Sequence, residues 1–208
     1  MEAPHSPAAD AAPGTRPARP TGPAADRPAV RLTVESPEQM RELGRGLAAL
    51  LRPGDLVMLT GELGAGKTTL TRGLGEGLGV RGAVTSPTFV IARVHPSLVG
   101  GPALVHVDAY RLAGGLDEME DLDLDVSLPD SVVVVEWGDG KVEELSDDRL
   151  HVVIHRTVGG DTSVQTDADT DMDTEGDPAA DGTDERRTVT LTGYGSRWSD
   201  ADLATLAP

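Results

Sequence analysis

The octapeptide Gly61-Glu62-Leu63-Gly64-Ala65-Gly66-Lys67-Thr68, followed by Thr69, satisfies G-x-x-x-x-G-K-[ST] without a gap. The apolar run Leu56-Val57-Met58-Leu59 precedes it and reads as a buried strand. Leu70, Leu74 and Leu78 follow at i, i+4 and i+8 and read as one face of a helix that stops at Gly79. Strand, glycine-rich loop and helix in that order restrict the chain to a layered α/β arrangement.

The residue types in the loop follow from what a phosphate requires. Glycines let successive N–H groups turn inward where a Cβ would block the approach. The helix N-terminus behind them favours an anion. Lys67 has the length to reach the β- and γ-phosphates of a nucleotide, and the Thr68 hydroxyl is suited to Mg²⁺. The chain has 16 arginines and only two lysines, Lys67 and Lys141. A lysine here, against that bias, matches a need for a compact ammonium that a planar guanidinium would not meet.

At 208 residues the chain has room for one domain with a core and some segments to spare. Residues 1–28 are mostly Ala, Pro, Gly and Thr without apolar periodicity, and a disordered tail is expected. That stretch lacks the apolar core of a signal peptide, and its prolines forbid the amphipathic helix of a transit sequence. No apolar run approaches the roughly 20 residues that cross a bilayer, and there is no cysteine for a disulfide or thiolate metal site. These features predict a cytoplasmic protein. The formal charge of −17 is unevenly spread, because residues 158–185 carry ten acids and neither Lys nor Arg. Tight direct contact with RNA or DNA is disfavoured, and 158–185 reads as an acidic, disordered insertion. The remainder, 29–208, is expected to be one P-loop NTPase domain, a three-layer α/β sandwich with a mostly parallel sheet.

Val30–Val34 reads as a first strand, followed by a helix with Ser36 at N-cap, Pro37 at N1 and Gln39 at N3. Further strands are predicted at Phe89–Val94, Ala103–Asp108, Ser131–Glu136, Leu150–Arg156 and Thr188–Thr192, the first two pairing antiparallel. Short helices are predicted at Leu116–Leu124 and Ser199–Leu206. Ser131–Glu136 is apolar on both faces, as a central parallel strand should be. It ends in Glu136, where a carboxylate is placed to supply a second Mg²⁺ ligand opposite the phosphate loop.

Asp108 ends another apolar strand on the side where such sheets open onto a ligand. From pattern alone it can orient or deprotonate a water, hold Mg²⁺ through a water, or pair with Arg111. Thr85, Ser86 and Thr88 surround Pro87 and suit either a switch loop meeting a γ-phosphate and Mg²⁺ or an ordinary turn. Trp137 follows Glu136 directly, with packing or a nucleotide or partner contact open to it. His151 and His155 share a strand face without a third metal ligand in view. The acidic tract Asp167–Glu175 fails as a calcium loop, because the register that puts Gly176 at position six puts Gly182 where a bidentate Glu belongs.

GELGAGKTT, SPTF, HVDAYRL and VVVVEWGDG occur in this order with suitable gaps. The chain thereby resembles the TsaE (YjeE) family, small P-loop ATPases of bacterial tRNA threonylcarbamoyladenosine biosynthesis, over about residues 30–157 and again from Arg186 to Trp198. The resemblance implies a doubly wound P-loop domain without a lid, acting with TsaB and TsaD. Those two transfer threonylcarbamoyl to the adenosine beside the anticodon, and tRNA is met only through that complex. By the same resemblance, Gly64, Ala65, Gly66, Lys67, Thr68 and Thr69 would hold the phosphates of ATP, and Thr68 and Glu136 would hold Mg²⁺. Asp108 falls on an acid critical for activity, and Ser86-Pro87-Thr88 on a switch loop that makes Thr88 a catalytic candidate beside Lys67. Ser36 and Pro37 would approach the base. An arginine near the last strand would approach the nucleotide; Arg186 is the match taken, with Arg187 beside it.

Other readings fare less well. A small-molecule or nucleotide kinase usually carries a basic lid, and the long loop here is acidic. A guanine-specific switch wants N-K-x-D, but the sequence contains no Asn. The ABC-type signature LSGGQ is absent. A nucleotide-dependent assembly module without significant hydrolysis remains open beside the ATPase reading.

Overall fold

The computed structural model describes residues 29–87, 91–111, 124–140, 142–143, 145–156 and 186–206. The expected tail at 1–28, the acidic insertion at 158–185, Thr88 and all but the last residue of the helix predicted at Leu116–Leu124 lie outside them.

Seven strands form a single sheet: β1 (Ala29–Val34), β2 (Leu56–Gly61), β3 (Ala92–His95), β4 (Ala103–Asp108), β5 (Ser131–Glu136), β6 (Arg149–Arg156) and β7 (Arg187–Tyr194). Their spatial order is β1-β7-β6-β2-β5-β4-β3. The central four, β6, β2, β5 and β4, run parallel. Antiparallel β3 borders them on one side and the antiparallel pair β7 and β1 on the other. The P-loop NTPase fold class read from the sequence therefore holds, with the parallel part concentrated where the glycine-rich loop leaves β2.

All six residues of β5 are buried. Alternation sends Val132 and Val134 to the core cluster beneath α1 (Pro37–Ala48) and α2 (Lys67–Gly77), and Val133 and Val135 to a second cluster on the opposite face. Leu124, in the one-turn helix α3 (Leu124–Ser127), and Val142 help to cover that opposite face.

Helix α1 begins as predicted, with the Ser36 hydroxyl accepting from the Gln39 N–H at 3.2 Å. The Gln39 side chain reaches one residue further back than a simple capping box and accepts from the Glu35 N–H at 2.7 Å. Helix α2 contains Gly73, Gly75 and Gly77, each costing about 1 kcal/mol of helix propensity relative to Ala. Contact with α1 explains two of them. A Cβ on Gly73 would overlap the Arg41 carbonyl, and one on Gly77 would meet the Cβ of Ala48 at 2.5 Å. Gly44 of α1 is equally tight against the Leu70 carbonyl. Gly73→Ala is accordingly expected to destabilise the fold by about 2 kcal/mol net of the propensity gained. Urea unfolding checks this; a more stable variant would show that the two helices separate freely.

Two expectations change. Of the strand predicted at Phe89–Val94, Phe89 and Val90 lie outside the described residues, and the observed strand is Ala92–His95, starting only after Ile91, which takes the left-handed region at φ 63°. The helix predicted over Ser199–Leu206 is reduced to a tight 3₁₀ turn at Leu203–Leu206, with a separate 3₁₀ turn before it at Ser196–Trp198. The Asp202 carboxylate takes the Ala204 N–H at 3.2 Å, a local bond that favours a turn over so short a helix. No helix among the described residues is long and apolar enough to cross a membrane.

Candidate functional site

Helix α2 starts directly from the glycine-rich loop, with Gly66 at its N-cap and no side-chain cap. Gly64 and Gly66 take φ values of 78° and 112°, which a side chain would strain. The first-turn N–H groups of α2 thus face outward without a capping acceptor, a ready anion cradle. Ala65 is fully buried behind the loop and locks it onto the core.

Around this cradle lies a cavity of about 470 Å³ lined by Leu63, Gly64, Gly66, Lys67, Thr68, Thr69, Ser86, Asp108, Tyr110, Glu136 and Trp137. A cavity of similar volume, about 490 Å³, sits at the far edge of the sheet around Trp198 and Leu203. Volume does not choose between them. Chemistry does: only the first gathers an ammonium, two carboxylates, hydroxyls and a helix N-terminus.

Strand register explains how distant residues meet there. Asp108 and Glu136 are paired across β4 and β5 at the strands' C-terminal ends, beside the loop that leaves β2. The Thr68 hydroxyl donates to Glu136 Oε1 at 3.0 Å. Glu136 is 3 % exposed and also receives His106 Nε2 on Oε1 at 2.8 Å. Hydroxyl and carboxylate oxygens in contact form a hard-ligand pair that fits Mg²⁺.

Lys67 is 5 % exposed; its ammonium donates to the carbonyls of Gly61 at 2.8 Å and Glu62 at 3.0 Å and lies 3.7 Å from the centre of the Trp137 ring. Burial pushes this ammonium below the usual lysine range, while Glu136 and Asp108 pull in the other direction. Trp137 reaches that stacking position because it turns out of β5 at φ 63°, its N–H bonded to the Leu59 carbonyl at 3.1 Å. Tyr110 packs on it, with ring centres 5.1 Å apart.

Asp108 accepts from the Ser86 hydroxyl and from the Tyr110 N–H, each at 3.2 Å. The alternative pairing with Arg111 involves a side chain outside those described. Ser86 therefore joins the acid from the loop that the sequence offered as a switch, whereas Thr88 lies outside the described residues.

An adjoining cavity of about 210 Å³ shares Gly64, Gly66 and Thr69 with the first and is closed by Ser36, Pro37, Met40 and Arg187. Ser36 and Pro37 thus stand across the loop from Lys67. Arg187 is the arginine in that lining; Arg186 lies 3.8 Å from Glu35 and lines neither cavity. His151 bonds Thr60 at 2.9 Å, and no cluster of metal-binding side chains occurs among the described residues.

Sequence reasoning passed over His106 and Tyr110. His106 was accessible in principle: two residues before Asp108 on one strand, it must share that acid's face.

The model of the family described as "Threonylcarbamoyl adenosine biosynthesis protein TsaE" matches residues 34–163. The tRNA threonylcarbamoyladenosine biosynthesis protein TsaE of Streptomyces coelicolor is 70 % identical over 168 residues, covering 81 % of this chain and 99 % of that protein. Its namesake from Bacillus subtilis is 43 % identical over 164 residues, covering 78 % and 85 %. Among solved structures, the crystal structure of Bacillus subtilis YdiB superposes with a TM-score of 0.60 at 30 % identity, covering 88 % of this chain and 95 % of that one.

Proposed function

The chain belongs to the TsaE family, and from that premise we propose that it is the Mg²⁺-dependent, ATP-binding and ATP-hydrolysing subunit that supports threonylcarbamoyl transfer to the adenosine next to the tRNA anticodon. It acts in the cytoplasm with TsaB and TsaD counterparts and meets tRNA through them. The observation that carries this reading is the convergence of Lys67, Thr68, Asp108 and Glu136 on one cavity at an uncapped helix N-terminus.

In this reading the N–H groups from Gly64 to Thr69 bind the α- and β-phosphates, and Lys67 leaves its loop carbonyls for the β- and γ-phosphates. Thr68 and Glu136 hold Mg²⁺, which when bound neutralises charge that builds on the phosphate oxygens. Asp108, steadied by Ser86 and the Tyr110 N–H, orients the attacking water and takes up its proton. Ser36, Pro37 and Arg187 flank the purine side of the nucleotide. Arg187 replaces Arg186 in that role because it lines the cavity that Ser36 and Pro37 close.

The ATPase unit is residues 29–208. We read the acidic stretch 158–185 as an insertion in that unit; the pairing of Arg156 with Arg187 at the end of the β6–β7 register supports the reading.

Phosphate release from Mg-ATP by this protein alone, and then with its TsaB and TsaD counterparts, tests the proposal. Slow release that rises when both partners are added is expected. Fast turnover that ignores the partners would overturn it.

A further inference from the structure

His106 is 0 % exposed in the interior of β4, and its Nδ1 finds no hydrogen-bond partner among the described residues. Such a position is cheaper to fill with an aliphatic side chain, as Leu104 and Val107 do on the same strand. What the imidazole provides is its other nitrogen. Nε2 lies 2.8 Å from Glu136 Oε1, and because an ionised carboxylate only accepts, Nε2 must carry the hydrogen. The strands make this contact obligatory: His106 is opposite Val134, and one pleat further on the same face of β5 stands Glu136. With Thr68 Oγ1 at 3.0 Å from the same oxygen and 3.3 Å from Oε2, the carboxylate is held from the sheet side by His106 and from the helix side by Thr68.

We infer that His106 is a positioning residue for the Glu136 carboxylate, fixing its orientation for the divalent cation that accompanies the nucleotide. The inference rests on the reading of Glu136 as a metal ligand. When the cation recruits a lone pair of the Thr68 oxygen, the hydroxyl hydrogen can still face Glu136, but that donor is then itself tied to the cation. The Nε2–H of His106 is the hydrogen bond that anchors the carboxylate from the sheet independently of the cation and stops it from rotating out of place. Groups that orient a metal-binding carboxylate in this way act on metal affinity rather than on nucleotide affinity.

The test uses the full chain and titration calorimetry with ADP, in EDTA and across a series of Mg²⁺ concentrations. His106→Gln and His106→Met have similar length and volume; only Gln keeps an N–H donor near the position of Nε2. His106→Met is expected to raise the Mg²⁺ concentration needed for half of the affinity gain by about tenfold or more, with affinity in EDTA changed by less than about twofold. His106→Gln is expected to stay within about threefold of the parent protein. In a Glu136→Ala background, His106→Met should add nothing further. A raised Mg²⁺ requirement in His106→Gln equal to that of a Glu136→Ala protein would overturn the inference, and this holds even if the Met variant does not fold. So would a folded His106→Met protein with the parent's Mg²⁺ requirement. A Glu136→Ala protein with an unchanged Mg²⁺ requirement would remove the metal reading itself, a failure distinct from that of His106 alone.

Discussion

Lys67→Ala is expected to lower phosphate release from Mg-ATP by at least about a hundredfold, the loss typical of removing one donor aimed at charge that develops in a transition state. The ammonium is nearly buried, at the first residue of α2, between two loop carbonyls and the Trp137 ring. None of these partners is a carboxylate in direct contact, so the positive charge is kept where it is costly to desolvate. Burial alone pushes the group toward neutrality. A charge maintained against that pressure stabilises an anion more than it stabilises the fold. The same substitution should therefore leave the thermal midpoint unchanged or raised. Lys67→Arg should not restore activity, because the planar guanidinium is too wide for the space between the loop and Trp137. Release within about threefold of the parent protein would show that Lys67 does not meet the transferring phosphoryl group.

This residue was also the most legible in the sequence, for a physical reason. A phosphate loop is local: its glycines, lysine and hydroxyl are consecutive, and the strand and helix that aim them adjoin it. Ser131–Glu136 was similarly plain, because a strand buried on both faces has no polar position until its end. Contacts made by register were harder to see. Pairing of Asp108 with Glu136 follows from the β4–β5 alignment, which no local pattern encodes. The Trp137 contact with Lys67 depends on a left-handed backbone that few sequences announce for a bulky residue. The glycines of α2 are weak helix formers, and the purpose of Gly73 and Gly77 appears only when α1 is laid against them. Arg187 is the first residue of β7 and Arg186 lies just before it, and no local pattern tells two adjacent arginines at a strand entrance apart.

Arg197→Met is expected to cost about 3 kcal/mol of stability, the low end for breaking a buried ion pair because the arginine side chain is 20 % exposed. Its guanidinium donates to the Leu50 carbonyl at 2.6 Å and to Asp55 Oδ2 at 2.9 Å, and it lies 4.5 Å from the Trp198 ring centre. Asp55 is 4 % exposed at the entrance to β2, and the same oxygen accepts the Arg52 N–H at 2.8 Å. Removing the guanidinium leaves a buried carboxylate with one backbone donor and takes a strong donor from the Leu50 carbonyl. Methionine fills the space but supplies neither bond. Against a total stability of roughly 5–15 kcal/mol, the loss is large. It should appear as a lower urea midpoint with an unchanged slope. The clamp sits before the first residue of β2, while the phosphate loop leaves from its last, Gly61. Six residues of strand, roughly 20 Å, separate the two. Mg²⁺-dependent nucleotide affinity of the folded Arg197→Met protein should therefore match the parent. If stability falls by less than about 1 kcal/mol, the pair is solvated well enough that Asp55 does not need its partner. If stability falls as expected and affinity falls with it, the 3₁₀ turn at Ser196–Trp198 holds the entrance of β2 in a way that reaches its far end.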